Sequence, residues 1–126
     1  ECVLIVEDER DLLTLTSEMV KSLGYRVLTA PTGRAALDLV NADPACFDLL
    51  LTDVVMPGGI GGFDLVRRVQ GVRPDVPVVY MSGYTGITRE NMGNATAPLI
   101  RKPCRPVELS RVLRRALRAT QPPSPL

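Results

Sequence analysis

"LLLTDVVMPGG", Leu49–Gly59, sets three leucines and a threonine before a lone acid, Asp53, and then turns at Met56-Pro57-Gly58-Gly59. The apolar run reads as the end of a buried strand, and the carboxylate falls at its C-terminal tip. A buried strand that delivers an acid to its tip needs a reason, and the reason lies in what stands beside that tip in space.

Around this stretch, apolar runs and helical patterns alternate five times. Cys2–Val6 is a first strand, and Leu12, Leu15/Thr16, Met19, Val20 and Leu23 predict a helix stopped by Gly24. Arg26–Ala30 is a second strand; Ala35, Ala36, Leu37 and Val40 mark a second helix that ends before Pro44. Phe47–Thr52 is the third strand, followed by a helix on Phe63, Val66 and Val69. Val76–Met81 and a brief Pro98–Ile100 are the fourth and fifth strands. Leu109, Val112, Leu113, Ala116 and Leu117 mark the last helix, with Pro106 in its first turn. Between the last two strands, Gly86, Asn91, Gly93 and Asn94 weaken the segment Ile87–Asn94, which is expected to be a short or mobile helix. Strict alternation of apolar strands with helices implies an α/β, doubly wound parallel sheet covered on both faces. In such sheets ligands bind beyond the C-terminal ends of the strands.

The chain has 126 residues, 45% hydrophobic and 23% charged, which suits one globular domain. Residues 1–120 are expected to form that domain and Gln121–Leu126 a disordered tail or linker. A net charge of +1 gives no overall pull toward nucleic acid or membrane, and no apolar run approaches the roughly 18–20 residues of a membrane span. Cys2, Cys46 and Cys104 are widely spaced and form no CxxC pair, as expected of thiols in the cytoplasm. Histidine is absent, so any imidazole in the mechanism must come from a partner. A start at Glu1, within a strand and without methionine, suggests a domain cut from a longer protein.

The strand ends supply a consistent set of groups. The first ends in Glu7-Asp8-Glu9, the third in Asp53, the fourth in Ser82-Gly83 and the fifth in Arg101-Lys102-Pro103. Carboxylates gathered so closely repel unless a cation neutralises them. Oxygen ligands without His or Cys suit a hard ion, and Mg²⁺ is the natural candidate. Lys102 and Ser82 add donors that suit an anion arriving beside Asp53; a phosphoryl group bridging metal and lysine fits both. Singly, each residue has a plainer reading: Asp53 as a turn residue, Glu7 and Asp8 as acids at a helix start, Ser82-Gly83 as a turn, Lys102 as a solvated lysine. Four separate strand ends with complementary groups favour the joint reading.

Val6–Glu9 (VEDE), Leu49–Pro57 (LLLTDVVMP), Val78–Tyr84 (VVYMSGY) and Arg101–Pro103 (RKP) together resemble the receiver domain of two-component response regulators, from Cys2 to about Ala119. The resemblance implies a flavodoxin-like five-stranded sheet of order 2-1-3-4-5. It implies that Asp53 is the phosphoacceptor and that Asp8, Glu7, Asp53 and the backbone carbonyl of Val55 hold Mg²⁺. Ser82 matches the hydroxyl that follows the phosphoryl group, Lys102 its ammonium partner, and the Lys102–Pro103 bond is expected to be cis. The implied partner is a histidine kinase or histidine phosphotransfer domain, in cis or in trans, which supplies the phosphohistidine. The fourth helical segment, the fifth strand and the last helix are the surface through which a homodimer would form, an option the sequence leaves open. The MPGG loop with YMSGYT is most similar to receivers attached to hybrid sensor histidine kinases.

Several positions depart from the family pattern. Glu7 stands where aspartate is commonest, and Leu99 where an aromatic switch residue is frequent. Cys104 replaces a frequent Phe, and the loop Pro57–Gly62 is one residue longer than the commonest spacing. Arg105 occupies the expected N-cap of the last helix. With Leu99 lacking a ring to report the state of Ser82, the two-state element is expected to be backbone order in Thr85–Ala97.

Three other classes compete. A haloacid-dehalogenase-like phosphatase needs a second acid two residues after the nucleophile, where Val55 stands. A flavin carrier of similar fold needs a hydroxyl- and Gly-rich loop after the first strand, where Glu7-Asp8-Glu9 would repel the phosphate. A receiver that binds partners without phosphorylation would not need the intact acid set. The arginines Arg111, Arg114, Arg115 and Arg118 lack interleaved aromatics and read as a solvated helix face rather than a nucleic-acid site, with an interaction face for dimerisation or kinase docking as the middle option.

Overall fold

The computed structural model describes residues 1–56, 59–83, 97–102 and 104–119. The elements, in chain order, are β1 (Cys2–Val6), α1 (Arg10–Ser22), β2 (Arg26–Ala30), α2 (Gly33–Ala42) and β3 (Leu49–Asp53). There follow α3 (Gly62–Val72), β4 (Val78–Ser82), β5 (Leu99–Arg101) and α4 (Pro106–Ala119). The five strands pair in parallel in the order β2-β1-β3-β4-β5, as expected.

The continuous apolar runs make sense once the two faces are separated. Side chains alternate across a strand, so Leu4, Val6, Leu50, Val78 and Tyr80 point to one core, with Leu37, Val40, Leu65, Val66 and Val69 from α2 and α3. Val3, Ile5, Leu49, Leu51, Val79 and Met81 point to the other, with Val20 of α1 and Leu109, Leu113 and Leu117 of α4. Every residue of β1, β3 and β4 is buried, whereas β2 at the edge is partly exposed.

Two expectations need correction. Leu15 is 56% exposed, and Leu13 packs on the core instead. The buried stripe of α1 runs Leu13, Ser17, Val20, steps of four and three, which turns Leu15 to the outside. Strand β3 starts at Leu49, not Phe47, because Asp48 turns to the N-terminus of β1: its Oδ2 accepts from the Cys2 N–H at 2.7 Å.

Helix ends follow local chemistry. Thr32 caps α2 through its side chain, which accepts from the Ala35 N–H at 3.0 Å. Gly24 adopts φ 98° just past α1, a conformation that favours glycine, and its N–H reaches the Lys21 carbonyl at 2.9 Å. The expected helix at Ile87–Asn94 and the tail Gln121–Leu126 lie outside the described residues. Among the described residues no helix is long and apolar enough to cross a membrane.

Candidate functional site

The sheet register brings the chemistry together. Val6 pairs with Thr52 and Asp53 with Met81, so the ends of β1, β3 and β4 lie side by side. Glu7, one residue beyond β1, is 1% exposed, and its N–H donates to the Ala30 carbonyl at the end of β2 at 3.2 Å. Asp53 is 6% exposed and Ser82, the last residue of β4, 3%. Arg101 pairs with Ser82, and the Lys102 N–H donates to the Ser82 carbonyl at 2.9 Å. That bond fixes the lysine at the same edge of the sheet.

Lys102 Nζ lies 2.8 Å from Glu7 Oε2 and 3.2 Å from Asp53 Oδ2. Sequence alone paired this lysine with an incoming anion; the structure gives it Glu7 as its shortest partner. Carboxylate oxygens of Glu7, Asp8 and Asp53 all lie within 4.8 Å of one another, with Asp8 exposed to solvent. Burial pushes the Glu7 carboxyl above its usual range, the nearby Asp53 charge adds to this, and the hydrogen bond from Lys102 opposes it. Burial also acts against the charged form of Lys102, but its bond to Glu7 and the charges of Asp53 and Glu7 outweigh that and raise its pKa. With all four groups ionised, three carboxylates face one ammonium. An all-oxygen donor set with excess negative charge, one member open to solvent, fits a hard divalent cation such as Mg²⁺.

The backbone beneath Asp53 is packed without slack. The Thr52 hydroxyl donates to the Asp53 carbonyl at 3.1 Å, and the Gly62 N–H to the Val54 carbonyl at 2.9 Å. A Cβ on Gly62 would overlap the Asp53 carbonyl oxygen and come within 2.9 Å of the Val54 Cα. Gly62, at the first position of α3, thus seats that helix directly on the acid's own peptide. Sequence reading passed over this glycine; its signal was the Gly61-Gly62 pair just before an amphipathic helix.

Val55 follows the site and is 45% exposed. Leu99 is half-buried on β5, pairs with Tyr80 and packs toward the α2–α3 core. The aromatic ring in this neighbourhood belongs to Tyr80, buried edge-on against Phe63 with ring centroids 5.0 Å apart. The Lys102–Pro103 bond and the switch segment up to residue 96 fall outside the described residues.

A family profile described as the response regulator receiver domain matches residues 3–114. The response regulator SaeR of Staphylococcus epidermidis is 31% identical over 83 residues, 66% of this chain and 34% of SaeR. The chain spans about a third of the length of the curated relatives it matches. The structure of chemotaxis protein CheY4 of Vibrio cholerae superposes with a TM-score of 0.81 at 29% identity, covering 92% of this chain and 98% of CheY4. The receiver domain from the hybrid histidine kinase CckA gives 0.77 at 29% identity, covering 93% and 99%. Sheet order, acidic strand ends and the span of the match agree: the chain belongs to the response regulator receiver family, the phosphoacceptor domains of two-component signalling that work with histidine kinase or phosphotransfer partners.

Proposed function

We propose that Asp53 is the residue that takes the phosphoryl group, from a phosphohistidine on a kinase or phosphotransfer domain. The observation that carries this is the placing of a nearly buried carboxylate at a strand end, 3.2 Å from an ammonium and beside two further acids. An Asp53 oxygen forms the new bond to phosphorus while the phosphorus–nitrogen bond of the donor breaks, and the imidazole leaves with the bonding pair. Such transfers need in-line placement and cancellation of charge more than covalent assistance.

Glu7, Asp8, Asp53 and the Val55 carbonyl would hold Mg²⁺, which when bound supplies positive charge against the phosphoryl oxygens. Lys102 exchanges its Glu7 contact for a phosphoryl oxygen, and the Ser82 hydroxyl donates to another. Val55 has no side-chain proton to give a leaving group, which supports a phosphoacceptor over a phosphatase. The acyl phosphate is later removed by water, resetting the domain. Ser82 and the Leu99 position couple the phosphorylated state to the surface that includes β5 and α4, where a second copy can pair. The likeness to the CckA receiver supports a hybrid kinase as the parent.

The test is phosphorylation with acetyl phosphate and Mg²⁺, read by intact mass. Wild type should gain one acid-stable, base-labile phosphate, and Asp53→Asn none. Equal labelling of the two proteins would reject Asp53.

A further inference from the structure

Helix α4 carries Arg111, Arg114, Arg115 and Arg118, spaced i, i+3, i+4 and i+7. That spacing sets all four on one face of the helix, and all four are exposed, while Leu109 and Leu113 on the other face are buried. Among the described residues the ion pairs are Arg68–Asp64 and the two of Lys102, so none of the four arginines meets a carboxylate. Arg114 reaches a neutral group, the Ser110 hydroxyl, at 3.2 Å. A groove of about 510 Å³ runs along the stripe, with Val107, 69% exposed, and Leu23 in its walls.

Glu108, exposed at i−3 from Arg111, adds one acid at the edge of this face but pairs with none of the four arginines, so the stripe keeps a net positive charge. Here like charges stand at i, i+3 and i, i+4, which weakens the helix. The helix dipole favours a cation in the last turn and so accounts for Arg118, but not for Arg111 in mid-helix. Guanidinium forks match carboxylates bidentately, and the apolar Val107 and Leu23 match hydrocarbon. Duplex nucleic acid would use the charge but not the apolar walls, and the net charge of +1 gives it little attraction. We propose that this groove docks an acidic amphipathic helical segment of a partner protein, with its carboxylates on the arginine stripe and its apolar side chains on Val107 and Leu23.

The test uses the full chain and a labelled helical peptide with Glu at i, i+3, i+4 and i+7 beside a leucine stripe, followed by fluorescence anisotropy. Saturable binding is expected, with amide shifts along α4 and at Leu23. Arg111→Glu with Arg115→Glu should weaken it about tenfold or more, and Val107→Ser several-fold with no change of charge. Arg111→Gln with Arg115→Gln, checked by thermal unfolding, separates lost charge from lost fold. The proposal is overturned by absence of saturable binding, or by equal binding of a permuted peptide of the same composition or of duplex DNA. A concentration-dependent dimer abolished by the double reversal, with no peptide binding, would assign the face to a second copy and equally overturn it.

Discussion

Two half-buried cations hold opposite edges of the sheet, and their partners differ in kind. At the strands' N-terminal edge, Arg73 donates to the Phe47 carbonyl at 2.6 Å and the Pro44 carbonyl at 3.1 Å, and its guanidinium stacks 4.8 Å from the Phe47 ring centroid. At the C-terminal edge, Lys102 sits between two carboxylates, with a third alongside. The arginine's partners are two neutral carbonyls and a ring, with no acid among them. The lysine is outnumbered by acids, so its edge has room for further positive charge. One tether is finished; the other is poised.

The contrast makes Lys102→Ala the most damaging single change. It leaves Glu7 and Asp53 buried without their cation, at a cost of about 3–5 kcal/mol in metal-free buffer. Mg²⁺ should restore most of that stability by replacing the lost charge, and denaturant unfolding with and without Mg²⁺ measures it. A loss indifferent to Mg²⁺ would mean that the acids do not share one electrostatic site. Gly62→Ala comes next, at about 3 kcal/mol, because the new methyl must displace backbone rather than a flexible side chain. The Asp53 peptide moves with it, so labelling by acetyl phosphate should slow about a hundredfold even where the protein remains folded. Labelling at the wild-type rate would show that the carboxylate does not depend on this packing. Arg73→Ala should cost about 1–2 kcal/mol through lost hydrogen bonds and stacking, with no response to Mg²⁺.

How much of this could be read in the chain follows from the physics of each part. Strands β1 and β2 have the expected bounds, since a run such as Cys2–Val6 feeds two cores at once and tolerates few polar residues. The grouping of Glu7, Asp8, Asp53 and Lys102 at one edge was also legible, because a parallel sheet forces strand C-termini together. Leu15 was misplaced because a stripe with several leucines and threonines supports more than one helical phase, and Ser17 hid the true one by bonding the Leu13 carbonyl at 2.7 Å. Gly62 was silent for a different reason: its importance lies in a contact with a strand nine residues earlier, and a missing side chain leaves no hydrophobic or charge signal.

The smallest effect expected is a gain, at the start of α4. The Arg105 carbonyl accepts from the Leu109 N–H at 3.0 Å, which places Arg105 at the N-cap. An arginine cannot accept the hydrogen bonds that the first helical N–H groups offer, and its charge opposes the positive end of the helix dipole. Arg105→Asp reverses both faults, so the midpoint of denaturant unfolding should rise by an amount equivalent to about 1 kcal/mol. The substitution lies only three residues from Lys102, which makes the Mg²⁺ dependence a useful control. If the gain is purely a capping effect, the increment is the same with and without Mg²⁺. If it grows in metal-free buffer or shrinks there, the new acid is sensing the crowded edge of the sheet, and the border drawn between the poised site and the helix beside it has to be moved.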